Sequence, residues 1–343
     1  MAKLSKAGYG ALLRRCLSVE GCILIAMSTN PLVEVFGYNV TDMSPEATRH
    51  RAGRLCPFHN SSGLNCTKDS KTDPLGVCTV SHKNSPAITC PVRFRQNLLI
   101  VSDAARFFFP PNTRYLALTE VRLNDKNGKS AGNIDMVLVA LDDNDEIVDF
   151  GALEVQAVYI SGNVKKPFKY YMNDPAAHAN MEWSSLGYPK PDYLSSSRKR
   201  LAPQLIFKGG ILNKWGKKMA VAVHTPFFEQ LPMLPEVDST KAEMAWLTYD
   251  LNLEAAHNRY NLESAKTYYT SFQDALSAIT IADAGDVNTF IQTLAERVKR
   301  GKIMGTPPAS ELPPEVEPPL ELVEEQDTDT RGYYCKPRYS AKK

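Results

Sequence analysis

FGALEVQAV, residues 150–158, reads as a buried β-strand with two polar side chains in its middle. Side chains alternate faces along a strand, so Glu154 and Gln156 share one face and Val155 takes the other. Burying an unpaired carboxylate is costly, and folds normally avoid it or pair the group. The stretch therefore asks for a compensating positive charge or a metal ion, unless it marks a polar strand end that reaches solvent at a sheet edge.

Working outward, NIDMVLVALD (133–142) is β-rich, DNDE (143–146) supplies a polar turn, and IVDFGALEVQAVYI (147–160) continues as a second arm. Two such arms read as an antiparallel hairpin. Pairing them through the turn brings Asp135 opposite the 152–156 region, within cross-strand reach of Glu154. Two carboxylates so placed repel and raise each other's pKa unless a cation lies between them. Hard Mg²⁺ suits such a pair, with water, phosphate and the main-chain carbonyl of Val155 as further oxygen donors. Gln156 is placed to orient a water, although a neutral amide is a poor proton acceptor. Glu120 closes the apolar YLALTE on the preceding strand, RYLALTEVRL (114–123). It adds a third acid, or else is an exposed strand terminus.

The segment before these strands has a different character. Between residues 50 and 95 hydrophobic periodicity disappears, turn formers dominate, and Cys56, Cys66, Cys78 and Cys90 follow one another across polar loops. Such a segment cannot build a core from apolar side chains. The total of seven cysteines is odd, and disulfides are disfavoured in a reducing compartment. Four thiolates around one metal ion would provide the missing centre, and both zinc and iron suit four sulfur ligands. Unrelated thiols remain the other reading, because the spacing lacks close CxxC pairs. Cys16, Cys22 and Cys335 read as ordinary thiols.

Charge is informative only once located. The net charge is +2, but ELPPEVEPPLELVEEQDTD (311–329) holds eight acids and no Lys or Arg, which leaves the rest of the chain at +10. That stretch reads as an extended Pro-rich tail. Basic density peaks in SRKRLAPQLIFKGGILNKWGKK (197–218), read as a helix over 198–213 followed by a strand. Arg198, Lys199, Arg200, Lys208 and Lys214 are its candidate polyanion-binding residues; a solvated face is the plainer account. No apolar run approaches the roughly 20 residues of a membrane-spanning helix. CILIAM (22–27) is short and no cleavage pattern follows it, so the expectation is a cytoplasmic protein with no membrane partner. The absence of a Gly-rich phosphate loop, GxSxG or HExxH argues against a nucleotide cofactor and against common small-molecule hydrolases.

The order Glu120, Asp135, then LEVQ (153–156), behind four widely spaced cysteines, resembles the NotI-type restriction endonucleases, a branch of the PD-(D/E)xK nucleases with Gln in the Lys position. The resemblance is strongest over residues 50–225. It implies an α/β fold with a PD-(D/E)xK restriction-endonuclease-like core, a mixed sheet flanked by helices, and a small four-cysteine subdomain holding iron. It implies a type II, homodimeric enzyme that hydrolyses double-stranded DNA with Mg²⁺ at a palindromic, GC-rich site. Asp135, Glu154 and Gln156 would be the catalytic set, with Glu120 an additional acid near the metal. The expected organisation is an N-terminal helical segment (1–49), the cysteine subdomain (50–95), the nuclease core (96–305) and the acidic tail (306–343). The rival expectations are a non-catalytic, metal-organised DNA-binding protein and a structure-selective or repair nuclease with the same core.

Overall fold

The computed structural model describes residues 27–301 and 305, apart from 60–63, 71, 84 and 283. The helix expected before residue 27, Cys16, Cys22, Cys335 and the acidic stretch 311–329 lie outside the described residues. The chain divides into two units, one up to Ala282 and one from Asp283. The second contains a helix, Val287–Lys299, started by the Asp286 side chain accepting from the backbone amides of Asn288 and Thr289.

The first unit is organised by six strands: β1 (Tyr115–Asn124), β2 (Ser130–Leu141), β3 (Ile147–Gln156), β4 (Met219–His224), β5 (Met244–Glu254) and β6 (Arg259–Thr270), in the order β6-β5-β4-β3-β2-β1. β4 runs parallel to both β3 and β5, whereas β1, β2 and β3 are mutually antiparallel, as are β5 and β6. The sheet is thus mixed. Composition explains the arrangement at its centre: β4, MAVAVH, is buried at every position, as a strand covered on both faces must be.

The two faces are covered differently. Helix α1 (Leu99–Phe108) lays Ile100, Val101, Ala104, Ala105, Phe107 and Phe108 against the side carrying Leu138, Leu153, Val155 and Ala222. Gly151 in β3 permits that approach, because a Cβ there would come within 2.4 Å of the Phe108 ring. The other side, with Val137, Ala152, Val158 and Val221, packs against a helical run over 193–214, here α2, and against α3 (Phe272–Thr280). α2 presents Leu201, Leu205 and Leu212 to the sheet. It is not a regular helix. Ser197–Leu201 and Leu205–Gly209 are π turns. Pro203 accounts for the irregularity, since an interior proline has no N–H to give and displaces the carbonyl one turn back. Gly209 then lets the second π turn lie close to Phe272, whose ring would be 2.6 Å from a Cβ.

The cysteine segment shares its own four-stranded antiparallel sheet with residues before it. Tyr38–Asn39, Leu32–Val35, Val77–His82 and Ser85–Ile88 pair in that order, with the helix Pro45–Gly53 beside them. Leu32, Val35, Phe36, Phe58, Val77 and Val80 form an apolar cluster together with Cys56, Cys66 and Cys78. The sequence expectation that 50–95 lacks apolar organisation is corrected: its own strands bring Val77 and Val80, and with Phe58 these pack against Leu32, Val35 and Phe36 from short strands and the turn between them, in the segment expected to be helical.

One buried ion pair joins this small sheet to the large one. Arg93 and Glu34 are fully buried, with Arg93 Nε 2.9 Å from Glu34 Oε2. Arg93 also donates to the Tyr260 carbonyl at 2.9 Å and to Gln96 at 2.8 Å, and its guanidinium lies 4.4 Å from the Phe58 ring centre. Removing one partner of such a pair strands the other charge and costs about 3–5 kcal/mol. Arg93→Ala is therefore expected to lower the unfolding free energy by about that amount in urea titrations, whereas the paired change Glu34→Leu with Arg93→Met restores much of it.

Candidate active site

The register of the β1–β2–β3 meander assembles the site. β2 and β3 pair Met136 with Leu153 and Val137 with Ala152, which sets Asp135 opposite Glu154 one step further on. On the other edge of β2, Thr119 faces Met136 and Val121 faces Ile134, so Glu120 comes opposite Asp135. Three acids thus lie in a row across three neighbouring strands. Glu120 has φ +55°, in the left-handed region that a β-strand residue enters only at a cost. Backbone strain of this kind is concentrated at functional sites.

Asp135 and Glu154 are in direct contact with the strand that holds them. Asp135 Oδ2 accepts from the Val155 amide at 2.8 Å. Glu154 is fully buried, and burial pushes its carboxyl up to about 8, with the facing Asp135 adding to the rise and Lys208 opposing it. Lys208 Nζ lies 2.7 Å from Glu154 Oε1 and 2.8 Å from Oε2. Only the Oε2 contact has hydrogen-bond geometry, which leaves Oε1 buried without a hydrogen-bond partner. Gln156, also buried, donates from its amide nitrogen to the Ala157 carbonyl at 2.6 Å. That bond uses the donor and leaves the amide oxygen as the accepting group.

A cavity of about 1000 Å³ lies beside these residues. Glu120, Asp135, Val155, Gln156, Arg200 and Gln204 line it, and so do Cys56, Cys66, Cys78 and Cys90. All four cysteines are buried free thiols. Burial drives the Cys56 thiol up to about 12 and raises Cys66 and Cys78 as well, with the neighbouring cysteines adding to each rise. Among the described residues, no three His, Cys, Asp or Glu side chains stand together as a ready ligand set. The donor chemistry nevertheless fits two kinds of metal: soft sulfurs facing one cavity, and hard oxygens with an orphaned carboxylate atom among them.

The five basic residues expected to meet a polyanion do not share one environment. Arg198, Lys199, Arg200 and Lys214 are exposed on α2, with Arg200 lying 5.0 Å over the Tyr159 ring and lining the cavity. Lys208 is instead buried, and its ammonium donates to the Asn133 carbonyl at 2.7 Å as well as to Glu154. Its placement corrects the expectation of a surface contact. The signal was present in the sequence: Lys208 occupies the helical stripe of Leu201, Leu205 and Leu212, where a solvent-facing lysine does not belong.

Metal-free protein should show the strain of Glu154 directly. A carboxyl whose folded pKa lies above its unfolded value stabilises the fold at low pH, and that stabilisation is lost as the pH rises toward 8. In Mg²⁺-free buffer, the thermal midpoint of wild type should fall relative to that of Glu154→Gln as the pH rises from about 4.5 to about 8, on top of a pH-independent cost of leaving Lys208 unpaired in the variant.

A family model described as restriction endonuclease NotI matches residues 34–262, more than half of the chain. No curated protein matches. The matched span includes five of the six strands of the large sheet in full and the start of β6, all four clustered cysteines, Glu120, Asp135, Glu154, Gln156 and the whole of α2. No described helix is long and apolar enough to cross a membrane.

Proposed function

The chain belongs to the NotI restriction endonuclease family and is a site-specific deoxyribonuclease; from that premise we propose that it is a type II enzyme with a PD-(D/E)xK core, hydrolysing phosphodiester bonds of double-stranded DNA with Mg²⁺ at a palindromic, GC-rich site. The observation that carries this reading is the facing of Asp135 and Glu154 across β2 and β3, with Glu120 next in the row.

Asp135 and Glu154 would hold Mg²⁺, with the carbonyl of Val155, the residue after Glu154, as a further main-chain oxygen. When bound, the ion lowers the pKa of water and stabilises charge that develops on the phosphate. The chain's own residues do the rest. Gln156, with its nitrogen engaged, has its amide oxygen available to orient the attacking water. Glu120 holds a further negative charge at the cavity wall. Arg198, Lys199, Arg200 and Lys214 neutralise phosphates along the exposed side of α2, and those contacts position the duplex without specifying its sequence. Binding that releases several counterions weakens steeply with salt.

The test is incubation of the purified chain with unmethylated genomic DNA, with and without Mg²⁺, followed by mapping of fragment ends. Discrete fragments sharing a terminal palindrome are expected only with Mg²⁺. Asp135→Asn should lower cleavage by at least about 10³-fold while DNA binding in Ca²⁺ is retained. Cleavage by Asp135→Asn at the parental rate would sink the assignment of the site. DNA bound but left intact by wild type would favour a binding module, and a preference for branched over linear DNA would favour a repair nuclease.

The four thiols are proposed to hold a structural metal, iron by the family resemblance, with zinc as the other candidate. Elemental analysis of full-length protein should find close to one iron or zinc per chain, and Cys78→Ser should lose it. Deprotonation of buried thiols makes such binding weaker as pH falls. A homodimer is the proposed assembly, since a palindrome presents the same half-site twice. β1, the last strand of the large sheet, exposes Leu116 and Leu118 and gives a second copy apolar surface to cover.

A further inference from the structure

Lys208 is buried on an apolar helical stripe, and its ammonium spans Glu154 and the Asn133 carbonyl. Asn133 precedes Asp135 on β2, so one side chain ties together the strands that carry both acids. A buried ion pair alone is a poor reason to keep a lysine there, because apolar residues of similar volume are often as stable or better. Its surroundings give a better reason. Glu154 stands opposite Asp135 on β2, with Glu120 next in the same row, so the side chain that Lys208 holds belongs to a set of oxygen donors suited to a divalent cation. The π turn Leu205–Gly209 and the close contact of Gly209 with Phe272 fix the helix so that Lys208 turns inward. Neither Lys208 nor Glu154 is among the residues lining the cavity, whereas Asp135, opposite Glu154, is, so Lys208 acts on the site through Glu154 and its facing of Asp135.

We propose that Lys208 is a positioning residue, which holds the Glu154 carboxylate in register with Asp135 for binding of a divalent cation. The inference rests on the endonuclease reading above. It assigns the lysine no contact with DNA and no proton transfer.

The experiment uses the full chain as wild type, Lys208→Gln, Glu154→Gln and the double variant. Outer-shell partners of metal ligands typically matter by 10–100-fold, so K208Q should bind Mn²⁺ about 10–100-fold more weakly by calorimetry without DNA. Single-turnover cleavage at saturating DNA should fall by a similar factor, with DNA affinity in Ca²⁺ unchanged. K208Q should lower the thermal midpoint of wild type but not that of E154Q, because the lysine acts through that carboxylate. Unchanged Mn²⁺ affinity in folded K208Q, or an equal loss of midpoint in the E154Q background, overturns the assignment. If K208Q does not fold, Lys208→Arg replaces it in the Mn²⁺ titration: weakened binding by a folded K208R supports the role and unchanged binding overturns it. Wild type that binds no Mn²⁺ and cuts no DNA overturns the endonuclease reading itself. Wild type that does both, with K208Q its equal, overturns only the role of Lys208.

Discussion

The facing of two carboxylates across neighbouring strands is the constraint on which the site depends. The hairpin register sets Asp135 opposite Glu154, and Glu154 is sealed from water. A fold that accepts such an arrangement has to surround it with compensation. Here the compensation comes from three directions: the Val155 amide on Asp135, the Lys208 ammonium on Glu154, and an open cavity where a cation can be taken up. The π turns of α2 and the tight glycine contacts at positions 151 and 209 keep that surrounding shell in place.

The same economy links the two sheets. The cysteine segment and the strands before it build one apolar cluster together. Its attachment to the large sheet combines apolar packing of Ile88 and Phe94 with the Arg93–Glu34 pair and the Val158 amide donating to the Ile88 carbonyl at 2.9 Å. Val158 lies two residues beyond Gln156. The active strand therefore leads straight into the junction, and the cavity lined by acids is also the cavity lined by thiols. A metal on those thiols, held as proposed, would stiffen one wall of that cavity.

Much of the site was legible in the sequence because strand periodicity is simple. A polar pair at i and i+2 in an apolar run has to share a face, and a hairpin with a polar turn has to bring Asp135 to Glu154. Glu120 followed from the next strand by the same logic. Long-range partners were not legible. The β5–β6 hairpin closes the sheet at the far side through pairings that no local pattern announces, and the strands Leu32–Val35 and Tyr38–Asn39 are too short to show alternation. Lys208 was misplaced because seven basic residues in a row of 22 drew attention to charge rather than to position on the helix. The π turns caused by Pro203 further obscure which face each residue takes.

The hairpin also separates what can vary from what cannot. Paired positions in an antiparallel ladder keep a constant relation, so residues added at the tip, between Asp142 and Glu146, lengthen both arms without moving either acid. A single residue gained or lost within an arm would turn one carboxylate to the opposite face. Chain distance between the two acids is thus a drifting quantity, while their parity is fixed. The tip is therefore the natural place to graft a foreign loop while both carboxylates keep their facing.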